Sequence, residues 1–281
     1  FCSFNSNQKF KGSVNMGEYG FFIIWEDDRA GSADVYGQKI DLDGNLQGSI
    51  DGVPIVVEQN DQTEPTIAYN EQLNEVMICW EDYRSGIYYD IYCKTIDGET
   101  LELGNEIVVS ELSYNQRYPF VYSTLDDSYL LTWQDSRNDP GENLAPDDDV
   151  YLQHLLNGQS QFQEDGLVVC NEDFSQTYPQ IELYNQESNS YIIYWNDNRS
   201  SGKEDLVNIY VQSITVIPNE CLLMDVNNDG IINVIDIVLV VNIIFGDTVP
   251  NNQQSCASDA NGDGVINIID VVIIVNSILS F

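Results

Sequence analysis

Basic residues are scarce in this chain. It has 10 lysines and arginines and one histidine against 46 aspartates and glutamates, a formal charge of −36 over 281 residues. A field of this sign repels nucleic acid phosphates and anionic lipid surfaces, and it attracts metal cations. The composition therefore argues against DNA and RNA as partners. It also makes bound divalent cations part of the stability argument, because unrelieved self-repulsion weakens a compact state.

Long hydrophobic runs are absent as well. The two most apolar stretches, "IDIVLVVNIIFG" and "IDVVIIVNSILSF", are too short to cross a bilayer, and Asp236, Asn242, Asp270 and Asn276 interrupt them. They predict buried or interfacial helices and no membrane span. The chain also starts at Phe1 without a methionine, so we expect a mature product or fragment whose leader has been removed. These features predict a secreted, extracellular or cell-surface protein.

The sequence is rich in internal repetition. Four tryptophans recur at spacings of 55, 53 and 62 residues, and the longest spacing contains the insertion "NDPGENLAPDD". Around each tryptophan come an extended run, the tryptophan segment, a polar turn and an alternating segment that begins with Asp-Val-Tyr or a similar triplet. A fourth run ("GVPIVVE", "GNEIVVS", "GLVVCNE") follows in three of the repeats. Four short strands per repeat are typical of a propeller blade.

This pattern predicts a mainly β fold, with a four-bladed β-propeller over residues 1–217. The fourth repeat lacks its last strand, which leaves an unpaired blade edge of the kind that proteins usually cover. The N-terminal "FCSFNSNQKF" has no expected partner within the first repeat. It could close its own ring as the missing strand, or a neighbouring molecule's ring, which would make a polymer.

A Trp-x-Asp-x-Arg motif marks every repeat and contains four of the five arginines. Its members are Trp25, Asp27 and Arg29; Trp80, Asp82 and Arg84; Trp133, Asp135 and Arg137; and Trp195, Asp197 and Arg199. Alternation places the three side chains on one side of the strand and its exit, so the Asp and Arg can staple the turn. A ring of arginines that grips an anionic ligand is the functional alternative, but repetition in every blade favours the structural role. With its Asp-Val-Tyr pattern, the region from 10 to 215 resembles secreted bacterial β-propeller repeats.

Near the C-terminus, "DVNNDGIINVID" (225–236) returns as "DANGDGVINIID" (259–270). Both copies follow the calcium-loop pattern D-x-[DN]-x-[DN]-G-x5-E, with oxygen donors at positions 1, 3, 5, 7, 9 and 12 and glycine at the sharp bend at position 6. The final acid is Asp in place of Glu. The predicted ligands of two Ca²⁺ ions are Asp225, Asn227, Asp229, Ile231, Asn233, Asp236, Asp259, Asn261, Asp263, Val265, Asn267 and Asp270, with Ile231 and Val265 acting through their backbone carbonyls.

Each loop is followed by an apolar helix, and no entering helix is expected, because "PNECLLM" and "NNQQSCAS" are short and polar. Two such halves in tandem, a duplicated F-hand, resemble a dockerin module over 218–281. That resemblance implies calcium-dependent folding and a cohesin partner. Cellulosomal dockerins carry recognition hydroxyls at loop positions 10 and 11, whereas this chain has Val234, Ile235, Ile268 and Ile269. The apolar helices predict a permanent hydrophobic partner surface, on a cohesin-like domain or on another copy of this protein.

Cysteine spacing suggests disulfides that sequence alone does not fix. Cys221 and Cys256 stand just ahead of the two calcium loops, and Cys79 and Cys93 fit one hairpin. Cys2 and Cys170 would then remain to join the N-terminus to the third repeat. Buried free thiols are the alternative for any of these pairs.

Catalytic signals are sparse. His154, at a variable polar position, is expected to face solvent from a strand, and no neighbouring serine or cysteine has a nucleophile signature. Asp139, Asp147, Asp148 and Asp149 of the insertion could bind a further cation, although a solvated acidic loop is the simpler interpretation.

These features predict a non-catalytic, secreted assembly protein that docks through its calcium-folded module and could polymerise into a filament. The alternative is a carbohydrate-binding or glycoside-hydrolase propeller subunit of a cohesin–dockerin complex that degrades polysaccharide. An asymmetric cluster of two carboxylates and aromatic residues at one mouth of the ring would favour this alternative.

Overall fold

A computed structural model gives the fold of residues 5–138, 147–163, 165–186, 188–199, 207–216, 223–227, 231–248, 250, 252–262 and 264–279. The chain divides into two compact units, Phe1–Thr215 and Val216–Phe281. We call them the N-terminal and the C-terminal unit. In the described parts of the chain, no helix has the length and apolar character that crossing a membrane requires.

The N-terminal unit contains four antiparallel sheets, one for each repeat. Sheet 1 consists of β1 (Gln8–Asn15), β2 (Phe21–Asp27), β3 (Asp34–Ile40), β4 (Leu46–Gln47) and β5 (Val53–Val56). Sheet 2 consists of β6 (Gln62–Asn70), β7 (Glu75–Asp82), β8 (Asp90–Asp97) and β9 (Leu103–Ser110). Sheet 3 consists of β10 (Gln116–Ser123), β11 (Ser128–Asp135), β12 (Asp149–Leu156), β13 (Gln159–Ser160) and β14 (Leu167–Cys170). Sheet 4 consists of β15 (Gln176–Asn185), β16 (Ser190–Asp197) and β17 (Asn208–Thr215).

Alternation along the strands builds the core between neighbouring sheets. In β7, Ile78 and Trp80 face one way and pack with apolar residues of sheet 1 such as Ile24. Met77 and Cys79 face the other way and pack with residues of sheet 3. Each middle sheet is therefore buried on both faces, as the near-continuous apolar run of β7 predicts.

The first strands of the four sheets, β1, β6, β10 and β15, lie side by side in that order, and we call them the inner strands. The expectation that the N-terminal "FCSFNSNQKF" lacks a partner in its own repeat is wrong for its last residues. Residues 8–10 begin β1, which pairs with β2 from Gln8 opposite Asp27 onwards. We call β5, β9 and β14 the outer strands. They pair with β3, β8 and β12, respectively, and sheet 4 has no equivalent among the described residues.

The C-terminal unit contains α1 (Val234–Phe245), α2 (Asn252–Ser258) and α3 (Ile268–Leu279). Helices α1 and α3 contact each other, and their core includes Val226, Val240 and Ile274. The prediction that no helix enters either loop is wrong for the second loop, which α2 precedes. A polar segment can form one short helix when tertiary packing buries a residue such as Ala257.

The cysteines follow the predictions in part. Cys79 and Cys93 stand directly opposite each other on β7 and β8 and form a disulfide, as predicted. Cys170 is a buried free thiol that accepts a hydrogen bond from Arg199, so the pairing of Cys2 with Cys170 is wrong. Cys256 is disulfide-bonded. Its predicted partner Cys221 and the residue Cys2 lie outside the described residues.

Candidate functional site

The Trp-x-Asp-x-Arg motif is a structural staple, as the repetition predicts. In sheet 2, the buried Asp82 accepts hydrogen bonds from the Trp80 indole at 2.9 Å and from the Arg84 backbone N–H at 2.8 Å. The Arg84 guanidinium binds the same carboxylate at 2.6 Å and lies 4.1 Å from the centre of the Tyr92 ring. The other three repeats form the same contacts, so each arginine is engaged inside its own sheet. A ring of free arginines for an anionic ligand is thus not formed.

The residue between Trp and Asp has a role that sequence reasoning missed. Its side chain accepts a hydrogen bond from a backbone N–H on the inner strand of the next sheet. Glu26 accepts from Glu64 at 2.8 Å, Glu81 from Tyr118 at 2.7 Å and Gln134 from Tyr178 at 3.3 Å. The donor residues stand at β-bulges with φ of 46°, 51° and 52°, a left-handed conformation that is costly for a residue with a side chain. Because the same bulge recurs in three sheets, it is a structural feature of the repeat that joins each sheet to the next.

These strained residues border a cavity of about 420 Å³, which we call the central pocket. All four inner strands line it, through residues 11–13, 64–67, 118–120 and 178–180. A pocket that collects side chains from every repeat is the natural place for a ligand in such an architecture.

Lys11 breaks the repetition at this pocket. The equivalent residues of the other inner strands are Pro65, Pro119 and Pro179. The Lys11 side chain is only 9% exposed, and its ammonium donates to Glu26 at 2.8 Å and to Glu64 at 2.6 Å. Burial alone would raise the pKa of Glu64, but hydrogen bonds and charge from Lys11 outweigh it and hold that pKa below its usual value. Lys11 and Glu64 therefore line the pocket as an ion pair, and Lys11 also binds Glu26.

Aromatic residues also line the central pocket. Tyr118 and Tyr178 have ring centres 4.8 Å apart, and the Tyr178 side chain is 53% exposed. Exposed aromatic rings beside a polar cluster offer an apolar platform with a hydrogen-bonding rim. The pocket thus combines one lining carboxylate, that of Glu64, with aromatic residues of two other sheets.

His154 is not at this pocket, and the expectation that it faces solvent is wrong. It is buried in sheet 3, where its Nε2 lies 2.8 Å from the Ser128 Oγ. Ser128 is itself buried and donates to Asp126 at 2.6 Å. Burial lowers the pKa of His154. A serine that is enclosed and already donates to a carboxylate does not form an accessible nucleophile.

The acidic insertion is described in part, and Asp139 lies outside the described residues. Asp148 accepts hydrogen bonds from Ser136 at 2.5 Å and from Gln134 at 3.1 Å, and Asp149 accepts one from Asn138 at 2.7 Å. Throughout the part of the chain that the structure describes, acidic, histidine and cysteine side chains form no group that could hold a metal ion.

Three buried aspartates occupy equivalent places at the start of β3, β8 and β12, opposite the aspartate of the staple motif. Burial is the largest cause of their shifts and raises the pKa of Asp34 to about 6, of Asp90 to about 7 and of Asp149 to about 6. Sheet 4 has Asn208 at this place. The repeat thus tolerates an amide where three copies hold a destabilised carboxylate.

We expect Asp90→Asn to stabilise the protein above neutral pH. The pKa of Asp90 is raised on folding, so its contribution to stability is complete below about pH 4 and is lost as pH rises through about 7. The amide removes a buried charge that costs about 1–3 kcal/mol, so the gain in melting temperature should grow from pH 5 to pH 8. Thermal unfolding at fixed calcium measures it. Asp97→Asn, at the other end of β8, is the control and should stabilise at no pH, because hydrogen bonds lower the pKa of Asp97.

The C-terminal unit places the predicted calcium ligands in two matching loops. Asp236 is fully buried and accepts from the Val226 N–H at 2.8 Å and the Asn233 N–H at 2.8 Å. Asp270 is also fully buried and accepts from the Asn267 N–H at 2.8 Å. In both copies the Asn at position 9 caps the following helix. Asp229 and Asp263, at position 5, lie outside the described residues.

The chemistry of these loops fits a hard divalent cation. Asp225, Asp236 and Asp270 are at most 1% exposed, yet residues 216–281 contain no lysine, arginine or histidine that could compensate them. Buried carboxylates without a cationic side chain need a metal ion or extensive hydrogen bonding. Carboxylate, amide and carbonyl oxygens in a tight glycine-containing loop are the ligands that Ca²⁺ prefers.

Comparison with known proteins separates the two units. Residues 223–279 match the dockerin type I domain family, so the C-terminal module is a dockerin, as predicted. Dockerin type I domains bind calcium and cohesins and occur in extracellular or cell-surface assemblies. A search of curated proteins finds no match to the chain.

The fold resembles family-43 glycoside hydrolase structures. A thermostable family-43 glycoside hydrolase is 9% identical, with 73% of this chain and 71% of that chain covered and a TM-score of 0.45. The endo-arabinase of Bacteroides thetaiotaomicron is 11% identical, with 70% and 72% covered and a TM-score of 0.43. An α-L-arabinofuranosidase of Clostridium thermocellum is 12% identical, with 73% and 68% covered and a TM-score of 0.41. At these identities the likeness concerns the fold alone.

These findings correct the functional prediction. The non-catalytic assembly protein is wrong, and so is its filament, since the similar structures are glycoside hydrolases and the module is a dockerin. The alternative, a carbohydrate-active propeller in a cohesin–dockerin complex, is favoured. The mainly β fold with a helical C-terminal module is confirmed.

Proposed function

We propose that this protein is a glycoside hydrolase subunit of a secreted cohesin–dockerin complex that degrades polysaccharide. The observation that carries the proposal is the central pocket, which is lined by Lys11, Glu64, Tyr118 and Tyr178. Lys11 joins Glu64 to a second carboxylate, that of Glu26. The pocket offers an aromatic platform for the sugar and the carboxyl group of Glu64, and Glu26 beside Lys11 would be the second carboxyl group that the chemistry uses.

The architecture we propose for residues 1–217 is a closed four-bladed propeller. The order of the four sheets supports it, as does the participation of all four inner strands in one pocket. Ring closure would hold Lys11 of the first repeat opposite Tyr178 of the fourth. Neither residue could form the pocket alone.

Glycoside hydrolysis uses two carboxyl groups that flank the scissile bond, one of which donates a proton to the leaving oxygen. In our proposal Glu64 is that donor, because its side chain is 36% exposed whereas that of Glu26 is 11% exposed. Since Lys11 and, more weakly, Lys9 lower the pKa of Glu64, its acid form is favoured only when an entering sugar displaces both ammonium groups. In our proposal Glu26, which also contacts Lys11, is the second carboxyl group and acts as base or nucleophile.

Residues 218–281 would supply attachment. We propose that the two loops hold two Ca²⁺ ions through the twelve predicted ligands. Bound calcium would neutralise the buried carboxylates and fix the start of α1 and of α3. The folded module would then dock the hydrolase to a cohesin outside the cell.

Glu64→Gln tests the catalytic proposal in the full chain with calcium present. The amide cannot donate the carboxyl proton, so we expect release of reducing sugar from neutral plant polysaccharides to fall by about 10²–10⁴-fold. Pull-down of the insoluble polysaccharide should be retained, because the aromatic platform is unchanged. Glu71→Gln, an exposed acid in the turn after β6, is the matched control and should keep full activity. Absence of both hydrolysis and binding in the unmodified protein would refute the proposal.

A further inference from the structure

Five side chains form a continuous row that begins at the central pocket, and we call it the aromatic row. It starts with Tyr178 and Tyr118, which both line the pocket and have ring centres 4.8 Å apart. The Arg117 guanidinium lies 4.9 Å from the centre of the Tyr118 ring and 4.5 Å from the centre of the Tyr89 ring. The Tyr83 and Tyr89 rings have their centres 4.7 Å apart. The row therefore leads from the pocket to Tyr83 without a step longer than 5 Å.

The aromatic row lies at the end of the sheets where the inner strands begin. Tyr83 and Tyr89 belong to the turn between β7 and β8, and the last residue of β7, Asp82, pairs with the first residue of β6. Tyr118 and Tyr178 stand two residues after the start of β10 and β15. A ligand chain that leaves the pocket at this end would pass over the turn of sheet 2.

The aromatic row does not recur in the other repeats. The residues at the place of Tyr83 are Asp28, Ser136 and Asn198. The residues at the place of Tyr89 are Ala33, Asp148 and Val207. Arg117 is the only arginine outside the Trp-x-Asp-x-Arg motif, and the residues at its place are Lys9, Thr63 and Thr177. A contact that every sheet needs would recur in every sheet, so this asymmetry indicates a role beyond the scaffold.

Polar groups of the aromatic row are available to a ligand. Among the described residues, the hydroxyl groups of Tyr83 and Tyr89 have no hydrogen-bond partner. Arg117 donates to the buried Glu81 through Nε at 3.0 Å and Nη2 at 2.9 Å, which leaves Nη1 without a partner in the described structure. The Arg117 side chain is 33% exposed. Aromatic rings beside unused O–H and N–H groups suit a sugar, which has apolar C–H faces and hydroxyl groups that donate and accept.

Hydrogen bonds fix the turn that holds the outer half of the aromatic row. The Tyr83 N–H donates to the Asp61 carbonyl at 2.8 Å, and the Tyr89 N–H donates to the Asn115 side chain at 3.1 Å. The Tyr89 carbonyl accepts from the Gln116 N–H at 2.8 Å. A surface that is ordered before its ligand arrives loses little conformational entropy on binding.

We infer that the aromatic row binds an uncharged polysaccharide chain beyond the central pocket, so that long chains are the ligands of this site. The inference rests on the proposed function in that it extends the same pocket, but it concerns binding and not bond cleavage. A disaccharide would contact the central pocket alone, whereas a longer chain would also contact Arg117, Tyr89 and Tyr83. The formal charge of −36 repels polyanionic glycans and favours neutral ones.

Affinity electrophoresis of the full chain with calcium present tests this inference. The gels contain galactan, glucomannan or arabinoxylan, and the protein carries Glu64→Gln so that a bound chain is not cleaved. Tyr83→Leu and Tyr89→Leu keep apolar bulk but remove the ring, and each should raise the dissociation constant for the retarding polysaccharide at least about fivefold. Tyr83→Phe should lose less affinity than Tyr83→Leu. Affinity for the disaccharide unit of the same polysaccharide, measured by calorimetry, should not change.

Tyr184→Leu is the matched control. Tyr184 is 69% exposed near the other end of β15, so its replacement should leave binding unchanged. Nitration of the protein without substitutions in the row, mapped by mass spectrometry, gives a measurement that does not depend on how the variants fold. Bound polysaccharide should slow the nitration of Tyr83 and not that of Tyr184.

The outcomes separate this inference from the hydrolase proposal. Selective loss of polysaccharide binding in Tyr83→Leu and Tyr89→Leu, with protection of Tyr83 from nitration, supports the inference even if the protein with Glu64 intact cleaves no glycan. Lack of retardation in all three gels would overturn it even if short substrates are cleaved. Equal losses in Tyr184→Leu, equal losses for the disaccharide, or unprotected Tyr83 would also overturn it.

Discussion

Chelation of calcium with EGTA is expected to abolish the helical far-UV circular dichroism of the full chain and its binding to a cohesin. The three helices all belong to the C-terminal unit, whose residues include eight acids and no basic side chain. Without the ions, the buried carboxylates of Asp225, Asp236 and Asp270 have no cationic side chain in that unit to neutralise them. At calcium levels 1,000 times the dissociation constant, each ion contributes about 4 kcal/mol to folding.

Matched variants separate calcium loss from general charge effects. Asp236→Ala and Asp270→Ala each remove a buried position-12 carboxylate and should reduce cohesin affinity and helical signal at limiting calcium. Asp247→Ala removes an acid beyond the end of α1, outside both loops, and should leave both signals unchanged. An unaltered helical spectrum in EGTA would show that calcium does not fold the module.

Asp135→Ala is expected to destabilise the N-terminal unit by about 3–5 kcal/mol, because it leaves a largely buried guanidinium without its carboxylate. Asp135 is fully buried and accepts from the Trp133 indole and the Arg137 backbone N–H, both at 2.9 Å. The Arg137 side chain is 17% exposed and has no second carboxylate among its hydrogen-bond partners in the described structure.

Urea unfolding at constant calcium, followed by tryptophan fluorescence, measures this loss. Glu102→Ala, which changes an exposed acid directly before β9, is the control and should alter the free energy of unfolding by less than about 0.5 kcal/mol. If Asp135→Ala behaves like this control, the staple does not stabilise the sheets.

The prediction of a non-catalytic scaffold overlooked one residue, Lys11. Alignment around the tryptophans made the repeats look uniform, and a uniform ring suggests a scaffold. The asymmetry lies on the inner strands, where "QKFK" in the first repeat stands against "QTEP", "QRYP" and "QTYP" in the others. The replacement of proline by Lys11 was the sequence signal for the pocket. The role of Lys11 could be recognised only from its contacts with Glu26 and Glu64, which lie 15 and 53 positions after it in the chain.

The sequence by itself determined the repeated strands, the Asp–Arg staples, the Cys79–Cys93 disulfide and the dockerin with its calcium loops. These features depend on residues within a strand, a hairpin or a twelve-residue loop, so local spacing encodes them. Only the tertiary structure decided the burial of His154, the hydrogen bonds from Glu26, Glu81 and Gln134 to the next sheet, and the assembly of the central pocket. Those contacts join different sheets, and spacing along the chain does not specify which side chains meet when sheets pack against each other.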